Sequence, residues 1–303
     1  MLMKASAQPP ARKGPRPAYE ILAPEDQTMA AVFTSPHSGR DYPRHFVRQA
    51  RLDLLGLRRS EDSFVDEIFA AAPDCGAPLL RALFPRVYVD PNREPYELDP
   101  DMFDETPPPF AKTRSPQIAA GLGTVAKCVS DGREIYSGKL SLADALRRID
   151  TLYIPYHRAL GDLVARTRAR FGVCMLIDCH SMPSASICAS DNGSSRVPEI
   201  VLGDRHGSSC AAILIDTVQA ALERQGYKVV RNIPYAGGFT TQHYGHPAGQ
   251  VHALQIEINR ALYMDETRIQ RGPGLAVLAA HMREMIQAVG AIPAASLAIA
   301  KSA

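Results

Sequence analysis

No C-x-x-C pair occurs among the six cysteines (Cys75, Cys128, Cys174, Cys179, Cys188 and Cys210), so the chain offers no paired-thiol motif and its cysteines read as scattered reduced thiols. Excess charge of either sign is missing too. Lys and Arg number 34 against 32 Asp and Glu, a net charge of +2, which is too little to draw in nucleic acid or another polyanion. No run of about eighteen apolar residues is present, which excludes a membrane-spanning helix. Residues 1–20 lack the uninterrupted apolar stretch of a secretory leader, and cytoplasm is the expected compartment. The absence of a G-x-x-x-x-G-K-[ST] run sets aside phosphate-loop nucleotide chemistry, and no internal repeat is apparent.

What remains is a chain that is 46% hydrophobic and 22% charged, enough to bury a sizeable core. Pro9, Pro10, Pro15, Pro17 and Pro24 break any regular helix near the start, predicting a loose arm over 1–28 that includes the solvated basic run Arg12-Lys13-Gly14-Pro15-Arg16. One catalytic domain is expected over 29–290, followed by a frayed Ala-rich tail over 291–303. Within it, short apolar runs alternate with helical periodicity. Met29–Thr34, Gly172–Ile177, Glu199–Gly203, Tyr227–Val230 and His252–Asn259 read as strands. Ser60–Ala72, Leu142–Arg168 with a break at Pro155, Ala212–Leu222 ended by Gly226, and Gly274–Val289 read as helices. Asp178–Pro183 and Gly237–Gly245 read as loops. The class is α/β: a mixed, mostly parallel central sheet with helices on both faces.

Functional groups in such sheets collect where strands end, because loops converge there on a rigid frame. His37 follows the first of these strands and His180 the second. Either alone reads more readily as a surface or structural histidine, but together they are candidate ligands for zinc, which takes three protein ligands in a catalytic site and leaves a position open. A carboxylate could be the third: Asp62, Glu61 and Asp66 all lie at one predicted helix start, where a helix cap is the plain alternative. Asp178, two residues before His180, is placed to hydrogen-bond a ligand histidine and hold its tautomer. Glu257 lies on an apolar strand, and a buried carboxylate there must be paired or used. It reads as a general base, with a salt bridge to Arg260 as the alternative. Arg93 ends another apolar stretch with a guanidinium suited to gripping a carboxylate.

Taken together, Ser35-Pro36-His37-Ser38-Gly39, Glu61-Asp62, Asp90-Pro91-Asn92-Arg93, Pro155-Tyr156-His157, Asp178-Cys179-His180-Ser181 and Gln255-Ile256-Glu257-Ile258-Asn259-Arg260 resemble the N-formylglutamate amidohydrolase family. The order of motifs is also similar to that of the zinc carboxypeptidase and aspartoacylase group. The resemblance implies a zinc carboxypeptidase-like (phosphorylase/hydrolase-like) fold. It further implies His37, Asp62 and His180 as ligands of Zn2+ or another divalent ion, Asn92 and Arg93 as the substrate-carboxylate clamp, and Glu257 as the base. The compact H-x-x-E of the carboxypeptidases is not kept, since Arg40 stands three residues after His37, so the ligand carboxylate comes from a separate segment. The implied activity is hydrolysis of a small N-acyl amino acid, N-formylglutamate foremost, in the manner of histidine degradation. A related metallo-deacylase, a carboxypeptidase-like peptidase, and a non-catalytic metal-stabilised small-acid binder are the rival expectations. No nucleic-acid or membrane partner is expected, and the sequence leaves the oligomeric state open.

Overall fold

The computed structural model describes residues 17–184 and 198–297. Its frame is a seven-stranded sheet of β1 (Tyr19–Leu22), β2 (Ala31–Ser35), β3 (Leu79–Ala82), β4 (Cys174–Met182), β5 (Ile200–Gly203), β6 (Val229–Arg231) and β7 (Val251–Asn259). The strands run in the order β1-β3-β2-β4-β7-β5-β6. All neighbours are parallel except β1 with β3 and β5 with β7, so the sheet is mixed and mostly parallel.

Every residue of β2, β4, β5 and β7 is buried, as parallel strands covered on both faces require. One face packs Phe33, Met175, Ile177, Leu254 and Ile256 against the Val65–Ile68, Ala212–Arg224 and Leu275–Gly290 helices. The other packs Val32, Leu80, Leu176 and Ala253 beneath Leu142–Arg148 and Ile154–Phe171. No helix among the described residues is long and apolar enough to cross a membrane.

The centre of the sheet positions the site. β4 and β7 are paired over their whole nine-residue lengths, with Asp178 opposite Gln255 and His180 opposite Glu257. Side chains alternate along a strand. Cys174, Leu176, Asp178 and His180 therefore share a face with Val251, Ala253, Gln255 and Glu257. That face is apolar at its N-terminal end and carries ionisable groups at its C-terminal end.

Several local expectations are corrected. Asp178–Met182 is strand rather than loop, because β7 supplies a ladder partner as far as Met182, opposite Asn259. The helix expected over Ser60–Ala72 shrinks to Val65–Ile68. Ser60, Glu61, Asp62 and Ser63 are buried polar residues, and Phe64 takes a left-handed φ of 67°, which a continuous helix forbids. Gly237–Gly245 is not all loop, since Phe239–Tyr244 forms a short helix. Leu142–Arg168 is helical throughout and is not split at Pro155: Leu142–Arg148 continues through a wider π-helical turn at Ile149–Tyr153 into Ile154–Phe171. Pro155 sits in the first turn of that second helix, where its missing N–H costs nothing. Tyr19–Leu22, within the segment read as a loose arm, is an edge strand on β3. The rest of that arm up to residue 16, Cys188, and the tail beyond 297 lie outside the described residues.

Candidate metal centre and active-site pocket

His37 leaves the end of β2, Asp62 sits in the turn before Val65–Ile68, and His180 projects from β4. Two bonds stitch the first two loops together: the Asp62 amide donates to the His37 carbonyl at 3.1 Å, and Ser38 Oγ donates to the Asp62 carbonyl at 3.1 Å. The side chains then converge. Asp62 Oδ2 lies 3.3 Å from His37 Nδ1 and 3.1 Å from His180 Nδ1, and the two Nδ1 atoms are 3.1 Å apart. None of the three residues is more than 2% exposed.

The rival carboxylates are otherwise engaged. Glu61 accepts from Arg58 and Ser63, and Asp66 from Arg40 and Arg81. Asp62 is also not the cap of a helix, because its carboxylate faces the histidines and the N-terminal turn of Val65–Ile68 has no side-chain cap.

The far nitrogens of both rings meet carboxylates. His37 Nε2 is 2.7 Å from Asp90 Oδ1, and His180 Nε2 is 3.0 Å from Asp178 Oδ2. Asp178 lies off the line of the ring N–H, so neither of its oxygens gains an aligned hydrogen bond and the contact is an ion pair. Behind these, Arg260 Nη2 donates to Asp62 Oδ1 at 3.0 Å and Arg86 Nη2 to Asp90 Oδ2 at 2.8 Å. Arg260, the sequence's alternative partner for Glu257, is thus committed to Asp62.

Burial alone would raise Asp62, but hydrogen bonds from His180 and His37 hold it well below the usual carboxylate range. Burial would likewise lower His180, yet the charge of the adjacent Asp178 and the bond to Asp62 push it well above the usual imidazole range. The cluster thus calls for positive charge at its centre.

A divalent ion fits that demand. His37, Asp62 and His180 each offer one ligand atom, all within 4.8 Å of one another. Bonds of roughly 2.0–2.2 Å in a tetrahedral arrangement put neighbouring ligand atoms about 3.3 Å apart, close to the separations seen here. Two imidazoles and a carboxylate, with carboxylates behind both rings, form a donor set that suits zinc.

A cavity of about 400 Å³ opens over the cluster, lined by His37, His180, Glu257, Asn92, Arg93 and Arg86 among others. Burial, partly offset by the charge of His180, raises Glu257 to about 7. Asn92 Oδ1 accepts from the Thr240 amide at 2.8 Å, which turns Nδ2 towards His180 Nε2 at 3.3 Å. Arg93 spends Nε on the Leu122 carbonyl and one Nη1–H on the Asn92 carbonyl. Its Nη2 has no hydrogen-bond partner among the described residues, so an end-on edge remains.

Asp90, Arg86, Gln255 and His157 had no assigned role in the sequence reading. Gln255 bonds Glu257, and it could have been found from its place two residues before Glu257 on one strand face. His157 bonds the Pro91 carbonyl and Tyr244. Arg86 lies outside any periodic element, and no pattern marks it.

A mixed α/β sheet that brings two histidines, an aspartate and a poised glutamate to one pocket at its C-terminal edge defines a hydrolase built on carboxylate and imidazole groups. Residues 29–264 match the model of the N-formylglutamate amidohydrolase family. N-formylglutamate deformylase of Pseudomonas aeruginosa is 32% identical over 253 residues, covering 82% of this chain and 86% of that protein. The Pseudomonas putida protein of the same name is 27% identical over 251 residues, with the same coverage of 82% and 86%. The crystal structure of N-formylglutamate amidohydrolase from Ralstonia eutropha JMP134 superposes with a TM-score of 0.83 at 37% identity, covering 89% of this chain and 96% of that one. The chain belongs to the N-formylglutamate amidohydrolase family and is an amidohydrolase.

Proposed function

We propose that this pocket hydrolyses the amide of a small N-acyl amino acid, N-formyl-L-glutamate foremost, to formate and glutamate, with a divalent ion, zinc by preference, held by His37, Asp62 and His180. The names of the related deformylases support the substrate. The observation that carries the mechanism is Glu257, a carboxylate raised to about 7 and lining the same cavity as both histidines.

When bound, the ion supplies Lewis acidity, polarising a carbonyl and acidifying water. Glu257 takes the proton of the attacking water and hands it to the departing amine, a role that suits a group titrating near neutrality. Asp90 and Asp178 orient the two imidazoles from behind, with Nε2 protonated and the Nδ1 lone pair left for the ion. A protonated Nε2 cannot accept from Asn92, so the Asn92 amide keeps its hydrogens for a substrate oxygen. Together with the end-on edge of Arg93 it forms the clamp for a substrate carboxylate, which fixes the amide over the cluster.

Glu257→Gln is expected to lower kcat for deformylation by roughly 10²–10⁴-fold, with metal content by elemental analysis unchanged. Normal turnover in that variant would overturn the assignment. Rates across formyl, acetyl, succinyl and peptidyl substrates check the acyl choice, with the formyl compound expected to be fastest.

A further inference from the structure

Glu257 is held by an amide whose orientation the backbone dictates. The Gly238 N–H donates to Gln255 Oε1 at 2.8 Å. A backbone N–H can only donate, so the oxygen end of the Gln255 side chain must face Gly238, resolving the ambiguity that side-chain amides usually carry. The nitrogen end then points at the base, and Nε2 donates to Glu257 Oε1 at 2.8 Å. Gln255 is 4% and Glu257 7% exposed, so this charge-assisted bond is made with little competition from water. Glu257 Oε2 has no hydrogen-bond partner among the described residues.

The donor can sit there because residue 238 has no side chain. A Cβ on Gly238 would lie 2.5 Å from Asn92 Nδ2, so any other residue there would displace either the Asn92 amide or the backbone that bonds Gln255. Two residues on, the Thr240 amide orients Asn92 in the same way. One short backbone segment thus sets the direction of two side-chain amides, one facing the base and one facing His180.

We propose that Gln255 is a positioning residue for the base: it ties down one oxygen of Glu257 and presents the other to the reacting water. The inference rests on the reading of Glu257 as the base. It requires a neutral donor at 255. A carboxylate there would face Glu257 and hold a proton between the two, and an apolar side chain would release Glu257 to other rotamers.

The test is deformylation kinetics on the zinc-loaded protein carrying Gln255→Met, measured both alone and combined with Glu257→Gln. Alone, Gln255→Met is expected to lower kcat by about tenfold to a hundredfold, the range typical of groups that orient a metal ligand, with KM and zinc content unchanged. In the Glu257→Gln background the same change is expected to cost nothing more, because a residue that acts only through Glu257 has nothing left to position. An equal loss in both backgrounds, or a loss explained by raised KM or missing zinc, overturns the proposal. Should Gln255→Met fail to fold, Gln255→Glu decides by the same criteria, since it keeps an acceptor for Gly238. Full turnover in Glu257→Gln alone would be the failure of the base itself and is read separately.

Discussion

His180 is buried on the central strand of the sheet and His157 is half-buried on the helix above it, and their surroundings drive them in opposite directions. His157 lies among rings, its centroid 4.3 Å from Tyr153 and 5.5 Å from Phe239. Burial lowers it to about 4, against the pull of the Pro91 carbonyl. His180 feels the same penalty but is raised, because Asp178 and Asp62 lie beside it. Depth in the fold therefore does not decide whether an imidazole carries charge. The neighbouring carboxylates do, and they make the His37 and His180 corner, not the His157 corner, the place where a cation belongs.

The sharpest way to break this contrast is to remove the carboxylate that the His37 and His180 rings share. Asp62→Asn should abolish zinc retention after dialysis and cost more activity than the roughly 10–100-fold typical of groups behind the ligands. Glu61→Gln, the adjacent carboxylate held by Arg58 and Ser63, should leave zinc content unchanged by elemental analysis. Next in size, Asp178→Asn should weaken zinc binding or turnover by roughly 10–100-fold, measured by competition with a chromogenic chelator.

The aromatic corner predicts a pH effect on stability instead. The folded chain protonates His157 only near 4, whereas the unfolded chain does so near 6.5, so between those values the unfolded state binds more protons. Stability present above about 6.5 is then lost as pH falls towards 4. That gap is worth at most about 3 kcal/mol. Urea unfolding at pH 7 and pH 4.5 should show His157→Gln losing less stability across this range than the parent chain. An equal loss in both would remove His157 from the account.

Much of this frame could be read from residue order alone, because its determinants are local. The apolar runs of β2, β5 and β7 end where turn residues begin, and His37 and Glu257 follow directly from where those runs end and how side chains alternate. Legibility stops where structure depends on distant partners. Asp178 and His180 read as loop in the sequence because polarity rises after Ile177, and only the β7 ladder keeps that stretch extended. Asp62 came from the order of motifs, since nothing local separates it from Glu61 and Asp66. The geometry that separates them is the pair of bonds joining its loop to that of His37. Asp90 and Arg86 act through contacts that no spacing rule encodes; the place of Gln255 beside Glu257 follows from strand alternation, but its bond to an amide 17 residues away in sequence does not.

The pairing of His180 with Glu257 across β4 and β7 limits how this chain can change in length. Inserting or deleting a single residue inside either strand would turn every later side chain to the opposite face. Asp178 and His180, or Gln255 and Glu257, would then be delivered into the apolar layer beneath Leu275–Gly290. Lineages carrying this site can accept length variation between strands far more readily than within these two.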